Sequence, residues 1–243
     1  MKRTLPVYLL FFTVLLLGAC GRWQVTSVQS HYYTLDTLAA DSGIHTMIAP
    51  YKARVDSIMN EELAELPFDL IKGKPNGNLG FWMADALRNQ ASIRSGSDID
   101  LAVINQGGIR RAYLNKGPVT LGMIYELMPF DNFVVVLQAD GELVYRILKV
   151  ACERGGDPIS GAQVRVRKDT LEIHINGQPL LMDKTYLLAT NDYMYEGGDG
   201  YGLMQEATRV ERYALVRHCL MDEMKSPFKK PFPDAEERRI IHD

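Results

Sequence analysis

Three short segments carry side chains suited to holding a polar, planar ligand, and each lies where an apolar run gives way to a glycine- and polar-rich stretch. Ligand sites in α/β folds concentrate at such strand ends. The first is Asn105-Gln106-Gly107-Gly108-Ile109-Arg110. Its two glycines let backbone approach a ligand closely. Asn105 offers both donor and acceptor, and Arg110 a planar fork for a carboxylate, phosphate or hydroxyl pair. A tight turn followed by a surface arginine fits the same composition. The second is Met128-Pro129-Phe130-Asp131-Asn132, where Phe130 can stack on a flat ligand or plug the core. The third, Asn191 to Tyr201, combines Tyr193, Asp199 and the glycines Gly197, Gly198 and Gly200.

Self-contained catalytic machinery is not found. The five histidines (His31, His45, His174, His218, His242) are scattered, and none has a second ligand at metal-motif spacing. There is no Gly-x-Ser-x-Gly elbow and no Gly-Lys-Ser/Thr phosphate loop. Hydrolysis at neutral pH needs an activated water or nucleophile. The expectation is therefore no catalytic residue, no metal ligand and no cofactor in this chain.

The elements that must position these segments follow from periodicity. Ile44, Met47, Ile48, Tyr51, Val55 and Ile58 recur at helical spacing behind the capping candidates Asp41-Ser42-Gly43. Residues 59–74 read as a strand or two with irregular connections. Helices are expected at Leu79–Asn89, Leu121–Leu127, Gly141–Glu153 (capped by Asp140) and Tyr213–Met224. Buried strands are expected at Ile99–Ile104, Phe133–Gln138 and Tyr186–Thr190. Val164–Arg167 and Leu171–Ile175 alternate apolar with polar around a turn near Lys168-Asp169, and Asn176-Gly177 signals a hairpin. The tail Glu237–Ile241 adds a last strand. No repeat or linker interrupts residues 31–243, which read as one α/β domain of mixed strands with flanking helices.

The amino terminus carries Lys2 and Arg3, an apolar run from Leu5 to Leu17, then Gly18-Ala19-Cys20. That layout is a secretory signal peptide over residues 1–19, and the apolar run is short of the roughly 20 residues of a spanning helix. The Leu-Gly-Ala-Cys ending resembles a bacterial lipobox, which implies lipid on Cys20 and a tether over residues 20–30. A plain secreted protein is the alternative. The expected location is the bacterial cell envelope, anchored to a membrane with the domain in the periplasm. Export permits Cys152 and Cys219 to pair, and buried free thiols fit equally. With 27 basic against 30 acidic residues and no basic run beyond pairs such as Lys229-Lys230, nucleic acid is not an expected partner.

Taken in order, the three segments resemble the C-terminal domain of bacterial and animal 5'-nucleotidases. That family shows Asn-x-Gly-Gly-Ile-Arg, then Leu-Pro-Phe, then Asn-[Phe/Tyr]-x-x-x-Gly-Gly-Asp-Gly-[Tyr/Phe]. Gly77-Asn78-Leu79 and Ala84-Asp85-Ala86 agree further, so the resemblance covers residues 45–205 and more loosely the remainder. It implies a base- and ribose-binding domain. Phe130 and Tyr193 would sandwich the base, Asn105 and Arg110 would contact the nucleoside, and Asp199 the ribose hydroxyls. Gly197 and Gly198 would keep their loop close to the sugar.

Two departures stand out. An arginine usual before Gly-Asn-Leu is absent from Asp69-Leu70-Ile71-Lys72-Gly73-Lys74, which leaves phosphate recognition to point charges on Lys72 or Lys74. The metallophosphatase motifs Asp-x-His and Gly-Asn-His-[Asp/Glu] do not occur. The resemblance thus implies the recognition half of a nucleotide-catabolising 5'-nucleotidase, binding a nucleoside or its 5'-monophosphate. A separate metallophosphatase chain would bring the divalent metals. A free-standing nucleoside- or nucleotide-binding lipoprotein is the alternative.

Overall fold

The computed structural model describes residues 41–168, 170–226 and 231–243. The signal peptide, the tether and Cys20 lie outside the described residues. The chain divides into two units, residues 1–48 and 49–243. Helix α1 (Ser42–Met59) runs across the division, and none of its residues is buried. Asp41 starts it, its carboxylate accepting from the amides of Gly43 and Ile44.

The remaining elements follow in chain order. They are β1 (Glu62–Leu66), β2 (Leu70–Ile71), α2 (Asn78–Ser95), β3 (Leu101–Val103), β4 (Tyr113–Leu114), β5 (Gly117–Thr120) and α3 (Leu121–Leu127). Then come β6 (Phe133–Asp140), α4 (Gly141–Glu153), β7 (Ile159–Ser160), β8 (Ala162–Arg167), β9 (Thr170–Ile175) and β10 (Gln178–Pro179). Last are β11 (Thr185–Asn191), α5 (Asp192–Tyr195), β12 (Thr208–Leu215), α6 (Val216–Lys225) and β13 (Ile240–His242).

A five-stranded mixed sheet in the order β12-β6-β11-β3-β7 forms the centre. Strands β11 and β3 are parallel, whereas β6 runs antiparallel to both β11 and β12. Period-two alternation sends Val134, Val136, Ala189 and Ala102 to one face, where they pack with Leu79, Met83 and Leu220 of α2 and α6. Val135, Leu137, Leu188 and Leu101 go to the other, against Val144, Ile147 and Leu148 of α4 and the second sheet, β10-β9-β8-β13. Both faces are covered, which is why β6 reads as a continuous apolar run.

Local signals bound the helices, and the Asp140 cap is where the sequence suggests. Asp140 accepts from the Leu143 amide at 2.8 Å and caps α4. Gly96, at φ 67°, stops α2 in the left-handed conformation. Cys152 and Cys219 are both buried free thiols. They belong to the cores on opposite faces of the central sheet. Burial pushes each thiol up to about 11, so neither is a reactive group.

Two expectations are corrected. The segment Tyr213–Leu215 is the end of strand β12, and the following helix begins only at Val216. Helix α2 continues to Ser95 rather than stopping near Asn89. Strand β12 is an edge strand with two register shifts, most of it exposed, so it lacks the apolar run that marks an inner strand. Among the described residues, no helix is long and apolar enough to cross a membrane.

Candidate ligand-binding site

The sheet's topology brings the three segments to one edge. Parallel β3 and β11 both end there, leading into Asn105 and into α5. Antiparallel β6 begins there, with Val134 opposite Asn191, so the Phe130–Asn132 turn arrives at the same place. Together they line a cleft of about 310 Å³ formed by Asn105, Gly107, Gly108, Arg110, Phe130, Asn132, Tyr193 and Asp199.

Side-chain hydrogen bonds fix this arrangement. Asn105 Nδ2 donates to Asp199 Oδ2 at 2.7 Å, and Asn191 Nδ2 donates to Asn105 Oδ1 at 3.1 Å. Asn191 also caps α5 by accepting from the Met194 amide. These short polar links leave little room beside the backbone. A Cβ on Gly107 would lie 3.3 Å from Asp199 Oδ2, and one on Gly108 would lie 3.2 Å from Asn105 Oδ1. Asp199 itself is held at φ 54°, an uncommon conformation for a residue with a side chain. Its second oxygen lies 3.4 Å from the Tyr193 hydroxyl.

The two rings sit differently. Phe130 is half-buried and packs against the core under the cleft, so it fills space below while lining the site above. Arg217 donates to the Phe130 carbonyl at 2.9 Å and pairs with Asp131, which holds this turn in place. The Arg110 guanidinium lies 5.0 Å from the Phe130 ring centroid, within cation–π range. Tyr193 is exposed, at 43%. Exposed aromatic surface beside acceptors and donors suits a ligand with a flat face and polar edges.

Gly197 and Gly198 do not line the cleft; they shape the loop that does. Gly197 takes φ 98°, and a Cβ on Gly198 would fall 2.5 Å from the Tyr193 ring. Neither Lys72 nor Lys74 lines the cleft either. Lys72 Nζ donates to the Ile109 carbonyl and Lys74 Nζ to the Arg154 carbonyl. Burial, then the neighbouring Arg110 and Lys74 charges, lower the Lys72 ammonium below its usual range.

Residues that the motifs did not single out complete the site. Asn132 lines it directly. Behind Asp199 lies Arg154, 3.5 Å away, whose Nε donates to the fully buried Asp157 at 2.7 Å. Asp157 also accepts from the Gln106 amide and from the Tyr201 hydroxyl, each at 2.8 Å. Burial and the Asp157 charge push the Tyr201 phenol far up, so it stays a donor.

A larger groove of about 640 Å³ runs along Asp85, Arg88, Asp100 and Arg239 on another part of the surface. Its charges are spent on the fold: Arg239 is bidentate to Asp85, and Arg88 serves the Ile99 carbonyl and Asn176.

The sequence profile described as 5'-nucleotidase, C-terminal domain, matches residues 62–206. The chain belongs to that family. It is 32% identical over 179 residues to a trifunctional nucleotide phosphoesterase of Bacillus subtilis, covering 66% of this chain and 12% of the relative. It is 25% identical over 208 residues to a cell wall protein of Listeria monocytogenes, covering 73% and 26%. The fold matches the crystal structure of a 5'-nucleotidase precursor from Thermus thermophilus with a TM-score of 0.67 at 25% identity, over 81% of this chain and 42% of that one. The chain therefore spans less than half the length of these relatives.

Proposed function

We propose that this chain is the nucleotide-recognition part of a 5'-nucleotidase-type phosphomonoester hydrolase acting in nucleotide catabolism. In this reading a separate metallophosphatase chain supplies the metals and the attack on phosphorus. The observation that carries it is the convergence of Phe130, Tyr193, Asn105 and Asp199 on one cleft in a member of this family. The base lies against the Phe130 and Tyr193 rings, since every base offers a π-face. Asp199 accepts from the ribose hydroxyls, and Asn105 and Arg110 contact the nucleoside. The nucleoside 5'-monophosphate is thereby held while its phosphate projects toward the partner. Binding energy gathered here, away from the reacting atoms, assists the reaction there.

Among the described residues, no group of three or more His, Cys, Asp or Glu side chains is placed to hold a metal ion. In this reading this chain contributes binding and orientation through the rings, amides and carboxylate of the cleft. Cys20 with its lipid would place the domain at a bacterial membrane, in the periplasm.

The test is AMP hydrolysis by the purified chain with Mn²⁺ or Mg²⁺, alone and mixed with a candidate metallophosphatase chain of the same organism. Activity confined to the mixture is the expected result. Activity of the repurified chain alone overturns the division of labour. Adenosine binding without any stimulation of the phosphatase turns the reading into a free-standing nucleoside-binding lipoprotein.

Gly198→Ala checks the loop. Its methyl would displace the Tyr193 ring, so adenosine affinity falls by about tenfold, the scale of one lost stacking contact. Thermal stability changes little, because Tyr193 is already exposed. Calorimetric titration beside a thermal melt reads both quantities.

A further inference from the structure

Among the described residues, Asp199 is the one carboxylate lining the cleft, and a carboxylate at the end of a mobile rotamer makes a poor reader of sugar hydroxyls. Asn105 holds one of its oxygens at 2.7 Å, and a second anchor comes from a part of the chain far from all three motifs. Helix α4 ends at Glu153, and Arg154 follows as its cap. Gly155 and Gly156 then take φ 88° and 97° and reverse the chain at once. A Cβ on Gly156 would lie 2.4 Å from Pro75, so only glycine passes there. This turn puts Asp157 under the Asn105–Gly108 segment, fully buried, while Arg154 stays near the surface.

One guanidinium thus spans two carboxylates. Its Nε binds Asp157 at 2.7 Å and its Nη2 approaches Asp199 Oδ2 at 3.5 Å. Asp157 is locked in turn by the Gln106 amide and the Tyr201 hydroxyl. Tyr201 and Asp199 lie on one loop, and Gln106 adjoins Asn105, which donates to Asp199. The buried carboxylate therefore ties together the two loops that form the cleft, and Arg154 carries that fixed point out to Asp199. Lysine cannot reproduce this, because a point charge lacks the planar fork that serves two acceptors.

We propose that Arg154 is, beside Asn105, a positioning residue of the ribose-reading carboxylate: it anchors Asp199 to the buried Asp157 and helps set the direction in which Asp199 meets a vicinal diol. This rests on the nucleoside reading of the cleft. The specific consequence is that Arg154 governs discrimination between ribonucleosides and ligands without the diol, and leaves base stacking untouched.

The test titrates the full chain with adenosine and with 2',3'-dideoxyadenosine. Arg154→Met weakens adenosine by up to about fivefold, the scale of one partly exposed ion pair, and leaves dideoxyadenosine unchanged. Arg154→Lys, which keeps the charge against Asp157, gives an intermediate loss and serves if the Met variant folds poorly. Asp199→Ala removes the preference for the diol, and adding Arg154→Met to it costs nothing more. Equal weakening of both ligands, wild-type behaviour of Arg154→Lys, or additivity with Asp199→Ala overturns the proposal. A second readout needs no ligand: amide hydrogen exchange at residues 198–201 rises in the Arg154 variants while that of Val134–Leu137 does not. If the wild type binds neither nucleoside, the reading of the cleft fails. Exchange then decides the anchoring by itself, an unchanged loop overturning it.

Discussion

Phe130→Ala and Tyr193→Ala each weaken adenosine binding by about ten- to a hundredfold, the loss expected when a stacked ring worth about 1–3 kcal/mol is removed. The two variants differ in what else they disturb. Tyr193 is exposed and its hydroxyl lies near Asp199, so its loss touches the ribose end as well as the base. Phe130 packs against the core below the cleft, so Phe130→Ala also opens a gap there and lowers the melting temperature. Tyr193→Phe separates the terms for the tyrosine, since it keeps the ring and removes only the hydroxyl. Titration of each variant, paired with its thermal melt, gives a binding loss in both and a stability loss in Phe130→Ala alone.

Arg239→Met lowers stability by about 3–5 kcal/mol, the usual cost of stranding one member of a buried ion pair. Arg239 and Asp85 are only 12% and 16% exposed along their side chains. Two guanidinium nitrogens reach the Asp85 carboxylate at 2.7 Å, and one of them also reaches the Ile159 carbonyl at 2.7 Å. The guanidinium stacks 4.4 Å from the Phe81 ring centroid, and Glu237 holds Nε. This side chain joins α2, β7 and the tail that becomes β13. Removing it loosens the tail, which keeps its pairing with β8, and leaves Asp85 to the Ser160 hydroxyl. In a domain of this size the melting temperature falls by about 10 °C. Because Arg239 lines a different groove and not the cleft, adenosine affinity measured on the folded protein at 25 °C is unchanged. A drop in affinity without a drop in melting temperature would reverse the assignment of this residue.

Much of the fold was legible because both faces of β6 are buried. Four consecutive apolar residues, Val134 to Leu137, flanked by the Asp131-Asn132 turn and the Asp140 cap, admit little besides a strand followed by a helix. The three segments of the candidate site were legible for a related reason. Asn105, Asn191 and Asp199 hydrogen-bond one another, and glycines stand where those bonds bring backbone close. The pattern is therefore written in the residue types. Strand β12 was not legible, since an exposed edge strand carries charge instead of periodicity. Arg154 and Asp157 were missed because their partnership is made across the fold. The only local trace was a Gly155-Gly156 pair between two opposite charges. Lys72 and Lys74, read as candidate phosphate ligands, turn instead to backbone carbonyls. No local pattern announces that choice. Helix α1 shows the reverse case: its apolar stripe is plain in the sequence, yet no residue of it is buried.

The central claim is that this cleft holds a nucleoside, and calorimetric titration of the full chain with adenosine and AMP tests it most directly. Saturable binding of both ligands in the absence of metal, weakened by Tyr193→Ala, is the predicted result. Absence of heat for either ligand at millimolar concentration, from a protein that melts cooperatively, would contradict it.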